Sequence, residues 1–360
     1  MWIVTRYGDV ERVITDPASF SVERFARRDG DEPPSVAKLL RHWTVYRDPP
    51  AHTRLRALMS QSFTPRRIEH LRPRVQAVVD ELLAAAAERG TVDFVADVAF
   101  PLPATVIAIM LGVPLADLAR LKAWSNQIAD FIGGARSGAD AEHARDGLLA
   151  ACDYFRELVR ARRAEPRDDV LDVLLRAEDG GETLSEDEVV ANCVLLLFAG
   201  HETTTNLLAN GLYHLLRHPA QEAILRADAT AVGTAVEEFL RFDAPVAGTI
   251  RIVAADVELH GRTFRRGDAV AAMLAAANRD PLQFERPDEL DVLRSPNRHL
   301  AFGYATHFCL GAGLARLEAQ TLFTTILRRF PRIRLCEDRP AWKSQVFFRE
   351  LVRLPLEVHA

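Results

Sequence analysis

One segment sets the scale of the fold. Ser185 followed three residues later by Glu188 has the form of a helix capping box, and the helical pattern then runs until His218-Pro219, roughly 33 residues in all. At 1.5 Å per residue such a helix is about 45–50 Å long, enough to cross a whole domain. From Val189 to Ala199 it is apolar on every side, so it is expected to run through the core and not along the surface. A polar cluster, Gly200-His201-Glu202-Thr203-Thr204-Thr205, then interrupts the apolar stretch. Burying such groups costs free energy unless something uses them.

Around this helix the patterns are mainly helical. Pro73 to Arg89 and Asp140 to Arg163 carry apolar residues at three- and four-residue spacing with charges between. Strand-like segments are short: Trp2 to Arg6, Ile250 to Leu259 and Val346 to Val358, the last two broken by turn or loop residues. The chain has 360 residues, 48% of them hydrophobic, and no repeats or low-complexity linker. It therefore reads as one mainly α domain with small β-sheets over residues 1–360, built on a long central core helix.

A net charge of −5 argues against nucleic acid as a partner. The cations are almost all arginine, Lys38, Lys122 and Lys343 being the only lysines. Cys152, Cys193, Cys309 and Cys336 are scattered and suggest no disulfide framework, which fits a reducing cytoplasm. The longest apolar run, Val189 to Gly200, contains Asn192 and is too short for a membrane anchor, and Met1 to Tyr7 is no signal peptide. The expectation is a cytoplasmic monomer.

The most chemically informative residue is Cys309. It follows Phe302-Gly303-Tyr304-Ala305-Thr306-His307-Phe308 and precedes Leu310-Gly311 and a helical pattern from Ala312. A cysteine in such a loop, directly before a helix, has backbone N–H groups and a helix N-terminus near its sulfur, which favours a thiolate. That suits a metal ligand, although an isolated cysteine beside a loop is more often a buried structural residue. Here the string Phe302, Gly303, His307, Cys309, Gly311 resembles the haem-ligand signature of the cytochrome P450 family. The resemblance extends to two further motifs in family order, Ala199-Gly200-His201-Glu202-Thr203 and Glu238-Phe239-Leu240-Arg241, and covers the chain from Trp2 to its end.

The resemblance implies haem b (iron protoporphyrin IX) with Cys309 as its metal ligand, and Phe302, Gly303 and Gly311 shaping the loop. It assigns proton delivery to activated oxygen to Thr203 and Glu202, an alcohol beside an acid. Ala199 and Gly200 would let the helix backbone approach the flat cofactor, with Thr203 back-bonding to a carbonyl one turn earlier and opening the helix. His52 and Arg56, spaced i,i+4, join Arg251 and His307 as partners of the haem propionates. Glu238, Arg241 and Arg294 would form a buried charge clamp. Val246, Ala247, Thr249 and Phe347 would line a pocket for a largely hydrophobic small molecule, perceived as a secondary metabolite or xenobiotic. The helix pair around Phe131 to Arg163 would border that pocket.

The implied activity is that of a monooxygenase inserting one atom of O2 into a C–H or C=C bond. Electrons would come ultimately from NAD(P)H through a separate ferredoxin and ferredoxin reductase, with Arg316 and Arg56 as docking cations. A peroxide-driven peroxygenase and a non-catalytic haem-binding or recruitment module are the rival readings. Both are expected to lose residues that this chain keeps, Glu202 and Thr203 or Cys309. Gly133-Gly134 and Gly138 suggest a mobile lid. The sequence departs from the family in two places. Ala305 stands where a second glycine is usual, and would be strained if φ is positive there. The usual N-terminal helix and first strand do not precede Trp2. A truncated or misassigned start is therefore expected, with an open strand edge, reduced cover for Trp2 and Val4, and weakened haem retention.

Overall fold

A computed structural model describes residues 1–23, 34–133 and 138–359. Its axis is the helix Glu186–Arg217, 32 residues long. The expected capping box closes its N-terminus. The Ser185 hydroxyl accepts from the Glu188 N–H at 3.3 Å, and the Glu188 carboxylate accepts from the Ser185 N–H at 2.9 Å. His218 caps the other end, where Pro219 begins the next helix. The core helix packs against Pro101–Leu111, Gly138–Ala164, Val232–Phe242 and Ala312–Arg329. Burial on all sides explains why its apolar stretch shows no polar face.

Asn192 breaks that apolar stretch for a structural reason. Its amide donates to the His42 and Glu188 carbonyls, both at 2.8 Å, and its carbonyl accepts from the Thr44 N–H at 3.1 Å and hydroxyl at 2.7 Å. One buried side chain thereby fastens the irregular segment at Trp43–Tyr46 to the core helix, with its hydrogen-bonding groups satisfied.

The sheets are small and peripheral. A four-stranded sheet runs in the order Trp2–Val4, Ala269–Ala272, Thr249–Val253, Phe20–Ser21, parallel at the first pairing and antiparallel at the others. A three-stranded antiparallel sheet joins Arg332–Leu335, Pro355–His359 and Thr91–Asp93. The segment read as strand from Val346 to Val358 is mostly irregular, with bridges Val246–Phe348 and Trp342–Leu351 and a regular strand only at Pro355–His359.

Trp2–Val4 is an edge strand, as expected, but the expected loss of cover is corrected. The Trp2 ring stacks on Phe264 at 4.7 Å, its indole N–H donates to Asp268 at 2.9 Å, and Val4 lies in a second apolar cluster with Val10, Phe20 and Val270. The hairpin Val257–Leu259/Arg262–Phe264 supplies Phe264 and so part of this cover.

The long loop before the cysteine is organised by one carboxylate. Glu238 receives two hydrogen bonds of 2.8 Å from Arg241, and Arg294 donates to the same group at 3.1 Å. Asn297 donates to it at 3.1 Å and the Asp291 N–H at 2.9 Å. Arg241 spends its remaining N–H groups on the carbonyls of Asn278, Pro287 and Glu289. With Glu238 and Arg241 both fully buried, such charges are tolerable only because each finds these partners.

Candidate active site

Residues 299–311 fold into a compact turn below the core helix. The Cys309 N–H donates to the Phe302 carbonyl at 2.9 Å, closing the loop. Gly303 takes φ +69°, and Ala305 takes φ +53°. The position where glycine was missing therefore does require a left-handed backbone, at a strain of about 1 kcal/mol relative to glycine. The Cys309 sulfur accepts from the backbone N–H groups of Gly311 and Ala312, and the Arg56 and Arg316 guanidiniums lie near it. Burial pushes the Cys309 thiol pKa up, and the two N–H groups and the two guanidiniums offset this only in part. The sulfur lies deep in the protein, yet Cys309 has accessible surface because it looks onto a cavity.

That cavity has a volume of about 420 Å³ and lies between the cysteine loop and the core helix. Ala199, Gly200 and Thr203 form part of its roof, and Phe302, Gly303, Cys309 and Gly311 part of its floor. The Thr203 hydroxyl donates to the Ala199 carbonyl at 3.0 Å, one turn back as expected. The helix is nevertheless continuous through this point, so the expected opening is corrected: the back-bond forms without breaking the ladder. Gly200 has a packing reason as well. A Cβ there would lie 3.0 Å from the Ile107 side chain on the neighbouring helix.

The walls are apolar on one side and cationic on another. Val246, Thr249 and Phe347 line the cavity as expected, and Ile132 brings in the helix pair around Phe131. Ala247 does not line it. Its backbone N–H donates to the Phe347 carbonyl and its carbonyl accepts from Ala275, so it positions its neighbours through the main chain. His52 and Arg56 from one helix, Arg251 from a strand and His307 from the cysteine loop also face the cavity. The His52 and His307 rings lie 4.1 Å apart, and His52 Nδ1 and His307 Nε2 are buried without a hydrogen-bond partner among the described residues. Burial, reinforced by His52, Arg251 and Arg56, brings the His307 pKa down to about 3. A cluster of two arginines and two imidazoles with orphaned nitrogens is the chemistry of a seat for carboxylates. It fits the propionates of a haem, as the single cavity-facing cysteine sulfur fits its iron.

Glu202 occupies a different place from Thr203. It is buried, outside the cavity wall, with its carboxyl 3.7 Å from His201 Nε2. Burial lowers the His201 pKa to about 4, and His201 Nδ1 bonds the Leu197 carbonyl, so this imidazole brings no positive charge. The Glu202 carboxyl instead hydrogen-bonds Glu350, which pairs in turn with Lys343.

The two cations expected to dock an electron donor are otherwise engaged. Arg316 forks onto Glu237 at 2.7 and 2.8 Å and lies over the Phe302 ring. Burial alone would raise the Glu237 pKa, but Arg316 and His299 outweigh it and hold it at about 2. Arg56 faces the cavity. The Arg316 side chain is also 31% exposed, so its fork to Glu237 leaves part of it at the surface. Of the expected glycine lid, Gly134 lies outside the described residues, while Gly133 and Gly138 end and begin helices. Wall residues at Trp43–Tyr46 and Ile107 were not legible, because no local pattern marks which side of a buried helix or loop meets a cavity.

The comparisons with known proteins agree on one family. The family model "Cytochrome P450" matches residues 138–358. Cytochrome P450 107B1 of Saccharopolyspora erythraea is 40% identical over 367 residues, covering 99% of this chain and 88% of that protein. Cytochrome P450 monooxygenase PikC of Streptomyces venezuelae is 39% identical, covering 99% and 85%. Among solved structures, P450BioI in complex with hexadec-9Z-enoic acid ligated acyl carrier protein superposes with a TM-score of 0.95 at 36% identity, covering 99% of this chain and 91% of that one.

Proposed function

The chain belongs to the cytochrome P450 family and is an oxidoreductase of the monooxygenase type, and from that premise we propose how this chain performs the reaction and on what. The substrate is a largely hydrophobic small organic molecule, oxygenated at a C–H or C=C bond. Residues 1–360 act as one catalytic unit, with electrons drawn ultimately from NAD(P)H through a separate ferredoxin and reductase. The observation that carries the reading is the cavity of about 420 Å³, with Cys309 in its floor and Thr203 in its roof.

Bound haem supplies an iron at which dioxygen is reduced and activated, with the thiolate favouring O–O cleavage. Cys309 would hold that iron, with the N–H groups of Gly311 and Ala312 donating to its sulfur. His52, Arg56, Arg251 and His307 would take the propionates. Thr203 presents a hydroxyl at the reacting side, and Glu202 supplies its proton from behind the cavity wall. Val246, Thr249 and Phe347 exclude water and hold the substrate by apolar contact. Retention of both Glu202 and Thr203 favours dioxygen over added peroxide as the oxidant.

The test is spectroscopic. The reduced haem-loaded protein with carbon monoxide is expected to show the strongly red-shifted Soret band of thiolate ligation, and Cys309→His to abolish it. A red-shifted band that persists in the variant removes Cys309 from this role. Apolar substrate candidates are then ranked by the low-to-high-spin shift they cause.

A further inference from the structure

Glu202 does not stand alone behind the cavity wall. Its carboxyl meets that of Glu350, from the irregular C-terminal segment, 148 residues further along a chain that brings Phe347 and Phe348 to the cavity three and two residues earlier. Glu350 is 9% exposed and Glu202 is 6% exposed, so neither exchanges protons freely with bulk water. Lys343 pairs with Glu350 on the far side, and the Lys343 side chain is 40% exposed. The Lys343 N–H also donates to the Glu350 carbonyl at 2.9 Å, which fixes the two residues opposite each other. The three side chains form a continuous line from solvent to the residue preceding Thr203.

We infer that Glu350 is a proton-relay residue, acting through Glu202, and that Lys343 is the solvent end of the relay. The inference rests on the reading of Glu202 as the acid behind Thr203. Two carboxyl groups in hydrogen-bond contact share a proton, since two buried like charges at that distance are costly. Burial and the neighbouring Glu202 push the Glu350 pKa up, while Lys343 opposes them. His201, which also faces Glu202, is neutral and leaves the pair's charge balance to Lys343.

The relay moves protons and no electrons. The shared proton passes from Glu350 to Glu202, an O–H bond breaking on the first and forming on the second, and then leaves Glu202 toward the cavity, so that both carboxyl groups are briefly ionised. The Glu350 carboxylate then takes a proton from the Lys343 ammonium, and water reprotonates the amine. The identity of the last residue matters here. An arginine keeps its proton at every working pH, whereas a lysine can release one. Lys343 is one of three lysines in a chain whose Lys+Arg total is 45, and it stands where a releasable proton is required.

The haem-loaded protein carrying Glu318→Gln serves as the background, which removes from the infrared spectrum a buried acid whose pKa burial raises well above the ordinary value. Near neutral pH this background is expected to show the carbonyl stretch of a protonated carboxylic acid, lost on adding Glu350→Gln. Glu350→Gln and Lys343→Met are each expected to slow product formation about tenfold and to enlarge the solvent deuterium isotope effect. Substrate affinity and the carbon monoxide spectrum stay unchanged, and Glu350→Asp restores part of the rate. An infrared band that survives Glu350→Gln overturns the shared proton. Unchanged rate and isotope effect in Glu350→Gln, with Glu202→Gln impaired, overturn the relay but leave the role of Glu202 standing. Unimpaired turnover in Glu202→Gln overturns that role and this inference together.

Discussion

At Glu318 the protein buries a carboxyl group whose two oxygens have no hydrogen-bond partner among the described residues. Burial pushes its pKa well above the ordinary value of 4.5, so the folded chain keeps this proton where the unfolded chain has lost it. The sign follows from linkage. Below about pH 4.5 both states are protonated and the group contributes no pH dependence. As the pH rises above that value the unfolded state releases its proton and gains relative to the folded one. Glu318→Gln is therefore expected to be more stable than the wild type at pH 8, by roughly 1–3 kcal/mol, with the difference shrinking toward pH 5. Denaturant unfolding at the two pH values checks it, and a difference independent of pH would show that the carboxyl is ionised in the fold. Single residues differ greatly in how far sequence reveals them. Cys309, His307 and Thr203 sit in short strings that carry their own context, and Ala305 could be flagged for strain because the resembling signature has a second glycine at that position. Ala247 was misread because it acts through its backbone, which leaves no trace in side-chain type. Glu350 gave no signal, since its meeting with Glu202 exists only in three dimensions.

Elements tell a similar story at the next scale. The capping box and apolar run defined the core helix to within a residue at its start, because both are local interactions. The Glu238–Arg241 pair was legible as a helix face, but the size of the network around it was not. Carbonyl, amide and guanidinium groups of Asn278, Pro287, Glu289, Asp291, Arg294 and Asn297 converge on two side chains, and sequence alone does not show which loop atoms point inward. Glu238→Ala is expected to cost about 3–5 kcal/mol, because Arg241 would remain buried and lose its counter-charge. Its thermal midpoint, compared with that of Glu289→Ala at the exposed end of the same loop, measures this. Equal losses would mean that the loop, and not the buried charge, sets the cost. The short strands were the least legible elements, since pairing partners such as Leu356 and Val92 are far apart in sequence and a three-residue strand carries little alternation.

For the molecule as a whole, the cationic wall joins regions far apart in the chain. His52 and Arg56 lie on the helix Ala51–Ser60, Arg251 on the strand Thr249–Val253 and His307 in the cysteine loop, and buried nitrogens of the two imidazoles are left for carboxylates to satisfy. Haem at about a hundred times its dissociation constant is therefore expected to stabilise the fold by about 2.7 kcal/mol. A combined His52→Leu and His307→Leu variant should gain less. Thermal midpoints with and without haem decide it, and an equal gain in the variant would show that these histidines do not hold the cofactor.

The edge strand has a consequence in time. Trp2 donates its indole hydrogen bond to Asp268, 266 residues further on, and its strand pairs in parallel with Ala269–Ala272. During synthesis at about 5–20 residues per second, that partner leaves the ribosome on the order of tens of seconds after Trp2 does. For that interval an indole ring and a strand with both edges bare travel with the growing chain, open to chaperones that bind apolar nascent segments.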